Sequence, residues 1–101
     1  ETVCPVQDMI RRLTSDTARA AGLHDRGILR AGMKADVNVI DFAALKLQAP
    51  RMVRDLPAGG RRLLQKADGY VATILNGAVT YRDGVATGAL PGRLLRAGRA
   101  A

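Results

Sequence analysis

The apolar positions near the start of the chain recur at the spacing of one helix face. Four large side chains lie at i, i+3, i+4 and i+7: Val6, Met9, Ile10 and Leu13. This spacing predicts helical structure over residues 3–22, and Pro5 suits its first turn, where a missing N–H has no consequence. The pattern breaks at residues 14–16, whose polar side chains are predicted to cap a second short helix over residues 17–21. Gly22 is expected to end that helix.

After these helices, the pattern changes to short apolar runs between glycines. Residues 28–30 lie between two glycines and are predicted to form a short strand. Residues 35–42 form the best candidate strand, because apolar side chains alternate with polar ones. Val37 and Val39 share one face, while the other face is mixed, which predicts a sheet packed mainly on one side.

Residues 43–69 have no clear hydrophobic period. Pro50, Pro57 and Gly59 interrupt any regular pattern, so we expect a long solvated loop with one helical turn at residues 61–66. A loop of this length is uncommon in a compact domain. It is therefore either functional or packed against protein that lies outside this chain.

The sharpest local signal is a hairpin near the C-terminus. Two β-prone runs, residues 70–75 and 78–82, are joined by Asn76-Gly77, a pair typical of a type I′ turn because both of its central residues need positive φ. Asp83-Gly84 marks a second turn, which leads to a short run at residues 85–87. Helices followed by so few strands would leave sheet edges exposed, and we expect these edges to need partner strands.

Composition indicates one domain with a weak core. The chain has 101 residues, of which 3% are aromatic, and aromatic side chains supply much of the buried area in small cores. Because the first residue is Glu1 rather than Met, we expect the start of the chain to be a cleaved, trimmed or excised one, and the weak core favours a part of a larger packed body. Neither a secretory signal nor an apolar stretch long enough to span a bilayer is present. A single cysteine, Cys4, cannot form an internal disulfide, which favours a reducing, cytoplasmic location; we expect it to be a small buried side chain.

The formal net charge of +7 raises the possibility of an anionic partner. The 13 arginines and 3 lysines are scattered along the chain, and no aromatic side chains are interleaved with them for base stacking. We therefore expect no binding to nucleic acid or to membranes. A small basic module that binds nucleic acid, or an interaction module, is the alternative function.

No catalytic, cofactor-binding or metal-binding residue is predicted within the chain. His24 is the only histidine, so neither a histidine-based catalytic set nor a histidine metal cluster is available. Asp36 and Asp41 are placed on opposite faces of one strand. Structural roles in turns are expected for the remaining aspartates that precede or occupy turns: Asp25, Asp55, Asp68 and Asp83. The glycines and arginines of residues 56–62 are compatible with an anion-contacting loop, but no phosphate-binding motif is completed there.

Several motifs occur in order along nearly the whole chain. Residues 22–41 contain Gly-Leu, Asp-x-Gly, x-Gly-x-x-Ala-Asp and an apolar strand that ends in Asp, and they resemble the closing segment of the amidohydrolase superfamily. Four further segments resemble one branch, the N-acyl-D-amino-acid deacylases (D-aminoacylase-like): residues 55–63, 67–70, 76–77 and 87–93.

This resemblance implies an α+β fragment of a larger enzyme. Residues 1–22 would be the terminal helices of a (β/α)8 barrel, comprising the last barrel helix and a short helix. Residues 23–101 would be the C-terminal part of a small composite β-sandwich, with a long loop at residues 43–69. The short antiparallel strands would pair with strands from the N-terminal part of the parent protein.

The resemblance also implies a function for the parent protein. It would be a metal-dependent hydrolase, with zinc expected, that cleaves an amide bond of N-acyl-D-amino acids. Its catalytic residues would lie on the barrel strands, upstream of Glu1, so the present chain would be inert by itself. Its expected partners are the missing barrel and N-terminal strands, and in their absence it is expected to self-associate.

Overall fold

The computed structural model describes residues 4–96, which form an α+β arrangement. The helical part comprises α1 (Val6–Arg11), a π-helical turn (Arg12–Asp16) and α2 (Thr17–Ala20). Eight short strands follow: β1 (Val37–Ile40), β2 (Lys46–Leu47), β3 (Arg51–Leu56), β4 (Gly60–Leu64), β5 (Ala67–Asp68), β6 (Tyr70–Leu75), β7 (Ala78–Arg82) and β8 (Val85–Ala86). All pairings between them are antiparallel. The fold class expected from the sequence is thus confirmed.

The predicted helix cap at residues 14–16 is wrong, because the helical backbone continues through this segment. Asp16 has helical dihedral angles, φ −66° and ψ −44°, and makes no capping hydrogen bond with its side chain. The hydroxyl of Thr14 instead donates to the carbonyl of Ile10 at 2.6 Å. Such bonding back to the preceding turn competes with the helical ladder, and here it accompanies a π-helical turn.

The end of the helical segment agrees with the expectation for Gly22. This residue has a φ of 77°, and its N–H donates to the carbonyl of Arg19 at 3.1 Å. The N–H of Leu23 donates to the carbonyl of Ala18 at 2.8 Å. These two bonds form a Schellman motif, in which a glycine satisfies the last helical carbonyls.

The largest sheet has four strands in the order β1-β6-β7-β8. The predicted hairpin is confirmed as β6 and β7, and its turn residues Asn76 and Gly77 have φ values of 50° and 82°. A second turn with positive φ at Asp83 and Gly84 connects β7 to β8. The strand predicted at residues 35–42 is shorter than expected, since β1 covers only Val37–Ile40. Within the described chain, β1 and β8 are the two edges of this sheet.

Two predictions for the middle of the chain are wrong. Residues 43–69 are not a long loop: β3 and β4 form a hairpin, and β2 pairs with β5 outside it. The helical turn predicted at residues 61–66 is absent, because β4 occupies most of that segment. The hairpin is closed by Ala58 and Gly59, whose φ values of 59° and 73° reverse the chain within a few residues.

The strand predicted at residues 28–30 is also absent. Turns and bends occupy residues 24–33, and they are closed by a hydrogen bond from the N–H of Lys34 to the carbonyl of Asp25 at 2.8 Å. With its ends joined in this way, the segment curls back on itself and has no neighbouring strand with which to pair.

The packed interior is very small. Among residues 4–96, Ala72 is the one buried apolar residue, at 8% exposure, and no polar residue is buried. The chain exposes 8062 Å², whereas a compact monomer of its 10.7 kDa mass would expose about 5,500 Å². Its radius of gyration is 15.9 Å, compared with about 13 Å for a compact domain of this length. The exposed area and the radius of gyration are therefore both larger than those of a compact domain of this size.

The helical apolar stripe predicted from the sequence faces solvent. Its four members are between 44% and 69% exposed: Val6, Met9, Ile10 and Leu13. None of the helices between residues 4 and 96 combines the length and the hydropathy that crossing a bilayer requires. Because its four members are exposed, the stripe is an uncovered apolar surface on a short amphipathic helical segment.

Candidate functional site

The side chains with nucleophilic or metal-binding chemistry lie apart from one another. Cys4 is exposed two residues before the start of α1, so the expectation that it is buried is wrong. His24 is exposed in the turn that follows the helices. In the part of the chain that the structure describes, no three histidine, cysteine or acidic side chains are grouped so that they could hold a metal ion. The zinc implied by the resemblance does not fit these residues, and no catalytic step is assigned to them.

Several aspartates have structural partners on other elements rather than in their own turns. The carboxylate of Asp68, at the end of β5, accepts a hydrogen bond from Gln48 at 2.7 Å. Asp55, near the end of β3, accepts two hydrogen bonds from Arg62 on β4, at 2.8 and 2.6 Å. Their structural role was expected, but its cross-strand nature was not.

The glycines of the β3–β4 turn have a local structural role. Residues 56–62, considered above as a possible anion-contacting loop, form the reversal between the strands, and their glycines serve that turn. Arg62 is engaged by Asp55, and the hydrogen bond from its guanidinium lowers the pKa of the Asp55 carboxyl. The same bond raises the pKa of Arg62. Both side chains are about half exposed, so solvent screens this pair.

A partly enclosed ion pair joins two positions of the amidohydrolase-like motifs. Arg26, inside Asp-x-Gly, donates from its Nη1 to Oδ2 of Asp36, the aspartate of Ala-Asp. The Nε of Arg26 lies 3.7 Å from Oδ1 of Asp25. The side chains of Arg26 and Asp36 are only 15% and 25% exposed. We call this pair, with the backbone bonds described next, the Arg26–Asp36 clamp.

The Arg26–Asp36 clamp attaches the loop that follows the helices to the main hairpin. The second carboxylate oxygen of Asp36, Oδ1, accepts the backbone N–H of Asn76 at 2.8 Å. Next to it, the carbonyl of Ala35 accepts the N–H of Gly77 at 3.0 Å. One carboxylate thus joins two segments that are 40 residues apart in sequence, and it fixes the hairpin turn against the start of β1.

Gly27 fixes the same loop against the helical segment. A Cβ atom at this position would lie 2.8 Å from both the carbonyl oxygen of Thr14 and the Cβ of Ala18. The φ of Gly27 is 90°, a conformation that side-chain-bearing residues rarely adopt. The Asp-x-Gly motif therefore brings helix, loop and hairpin together, and its role in this chain is positional.

Comparison with known protein families gives a match to the sequence. The sequence model of the amidohydrolase family matches residues 1–81. Because this match covers most of the chain, the protein belongs to the amidohydrolase family and hence to a family of hydrolases. No curated protein and no solved structure gives a significant match to the chain.

The sequence indicated the motif aspartate but not its partners. Asp36 was assigned to a strand face, whereas it lies just before β1 and points its oxygens at Arg26 and the Asn76 N–H. The available signal was the presence of Arg26 within Asp-x-Gly, ten residues before an aspartate. That signal is weak, since ion-pair partners cannot be identified until the path of the intervening turns is known.

Proposed function

We propose that this chain is the C-terminal structural part of a metal-dependent amidohydrolase that hydrolyses the amide bond of N-acyl-D-amino acids, and that it is catalytically inert alone. The observation that carries the proposal is that the family motifs within the chain form a structural clamp. At the same time, the apolar helix face and the sheet edges are left uncovered. Such surfaces need a larger body to cover them.

In this proposal the two ends of the chain serve two domains of the parent enzyme. Residues 1–22 complete a (β/α)8 barrel, with the exposed stripe of Val6 and Leu13 packed against it. Residues 23–101 contribute to a small β-sandwich, in which β1 and β8 gain partner strands. The support is physical: unpaired edges and apolar faces in a native protein are normally covered or paired.

The substrate class is supported by four segments that resemble the D-aminoacylase-like branch: residues 55–63, 67–70, 76–77 and 87–93. In the structure, the first of these covers the β3–β4 turn, and Asn76-Gly77 closes the main hairpin. The branch assignment therefore relies on sequence likeness, and two of its four segments form hairpin turns in this chain. Any zinc would be held by residues other than those described here.

The decisive experiment begins with the coding DNA upstream of and in frame with Glu1. The longer protein that it encodes should be expressed beside the 101-residue chain, and both should be assayed with N-acetyl-D- and N-acetyl-L-amino acids. We expect the longer protein to hydrolyse the D-series and to contain zinc by elemental analysis, and the 101-residue chain to do neither. Zinc-dependent deacylation by the 101-residue chain would overturn its inert role, and exclusive use of the L-series would overturn the substrate assignment.

A start codon immediately before Glu1 would contradict the proposal by making the chain a free-standing protein. The alternative of a basic nucleic-acid-binding module would then be favoured by an affinity for nucleic acid that falls steeply with salt concentration.

A further inference from the structure

A small cavity lies beside the Arg26–Asp36 clamp, where the C-terminal segment crosses the main hairpin. Its volume is about 210 Å³. Three cationic side chains contribute to its lining: Arg26, Lys34 and Arg93. Asn76 adds a polar group, and Leu75 and Pro91 supply apolar wall. None of the residues lining this cavity is acidic.

The charges around the cavity do not cancel. Arg26 is paired with Asp36, its partner in the clamp, and its Nε also lies 3.7 Å from Oδ1 of Asp25. Between residues 4 and 96, Lys34 and Arg93 form no ion pair with any carboxylate. Lys34 and Arg93 thus contribute two positive charges without a carboxylate partner to the lining of a recess that is partly walled by apolar side chains. Beside apolar walls, the attraction of such charges for an anion is stronger than on a fully open surface.

We propose that this cavity is a binding site for a small anion, namely a carboxylate or a phosphate group. Charge-assisted hydrogen bonds from lysine and arginine to such oxygens are the strong type, and the side-chain amide of Asn76 offers a further donor. Since one water occupies about 30 Å³ of liquid, the cavity holds a group of a few heavy atoms rather than an extended ligand. The inference is independent of the proposed hydrolase activity.

The anion has two possible sources, and the same experiment distinguishes them. The 101-residue chain is labelled with ¹⁵N and titrated at constant ionic strength, once with inorganic phosphate and once with acetate. We expect saturable shifts of the amides of Lys34, Asn76 and Gly92. Tighter binding of phosphate indicates a free phosphate-bearing molecule, while acetate at least as tight indicates a carboxylate such as an acidic side chain from elsewhere in the parent protein. The absence of saturable binding by either anion would overturn the proposal.

A matched pair of variants separates the site from the general positive charge. Lys34→Gln with Arg93→Gln removes both uncompensated charges and leaves the clamp intact. It is expected to weaken binding at least about tenfold, which corresponds to about 1.4 kcal/mol. Arg54→Gln with Arg61→Gln removes the same charge from the β3–β4 hairpin and is expected to change the affinity less than about twofold.

Equal weakening by both double variants would mean that the anion responds only to net charge, and would contradict a specific site. Lys34→Arg provides a second check if the first double variant does not fold. It retains the charge and is expected to retain saturable binding.

Discussion

At the scale of single residues, Asp36 is a charged group whose side chain connects two distant segments of the chain. Its two oxygens are committed to different segments, one to Arg26 and one to the backbone N–H of Asn76. Removing Asp36 leaves Asp25 as the remaining carboxylate beside Arg26, at 3.7 Å, and it removes the acceptor of the Asn76 N–H. The residue therefore has a larger effect on stability than its partial exposure suggests.

We expect Asp36→Ala to lower the free energy of unfolding by about 1–2 kcal/mol, measured by urea denaturation. Asp41→Ala is the matched control. It removes an exposed aspartate at the other end of β1, and we expect a change within about 0.5 kcal/mol. Equal effects of the two substitutions would mean that the clamp contributes nothing beyond an ordinary surface aspartate.

At this scale the sequence predicted local backbone roles better than contacts between distant side chains. Gly22 was expected to end the helix and does so, because a Schellman cap depends on one residue and its immediate neighbours. Arg26 and Asp36 meet only after the chain has curled through residues 24–33, a path on which periodicity carries no information. The burial expected for Cys4 depended on extending the helix too far towards the N-terminus, whereas helix α1 begins at Val6.

At the scale of elements, the two hairpins show why one was predicted and the other was not. Asn76-Gly77 is a strong local signal for positive φ at both turn positions. In the β3–β4 hairpin, the corresponding positions are Ala58 and Gly59. Alanine is unfavourable there and Pro57 precedes it, so residue preferences argue against the hairpin that forms. Pairing along β3 and β4, together with the Asp55–Arg62 contact, outweighs that local preference.

The Asp55–Arg62 contact on this hairpin has a consequence for the titration of the carboxyl group. The hydrogen bond from Arg62 lowers the pKa of Asp55, so the contact stabilises the hairpin at pH values above the ordinary aspartate pKa. That stabilisation is lost as the pH falls through the lowered pKa. Because both groups are exposed, the stability of the whole chain should change little.

We therefore expect ¹³C NMR titration to show a pKa for Asp55 below that of an ordinary aspartate, and we expect Arg62→Gln to restore it. Arg61→Gln removes the same charge at the neighbouring position of β4 and should leave the pKa of Asp55 almost unchanged. If both substitutions raise this pKa equally, the shift comes from the general positive charge and not from the Arg62 hydrogen bond.

At the scale of the whole molecule, the part of the chain that the structure describes buries one apolar side chain, Ala72, and so has almost no core of its own. The helix, the four-stranded sheet and the β3–β4 hairpin are joined by backbone pairing and by the Arg26–Asp36 clamp rather than by buried side chains. Low aromatic content predicted this weakness, and the position of the uncovered faces follows from the helical stripe and the strand order. The sequence pattern could not supply the extent of the opening, because exposed area depends on how elements pack and not only on what they contain.

The open apolar stripe on the helical segment leads to a prediction about solution behaviour. Val6, Met9, Ile10 and Leu13 form a contiguous exposed face, and burying such a face is favourable by about 25 cal/mol per Å² of apolar surface. In the absence of a larger body, a second copy is the available partner. We expect the average mass of the chain, measured by light scattering, to rise with protein concentration.

Met9→Gln with Leu13→Gln should reduce this association by removing apolar area. Arg12→Gln, on the same helical segment, should not reduce it, because it removes a repulsive charge and leaves the stripe intact. A monomeric mass at all concentrations would contradict the view that these faces require a partner.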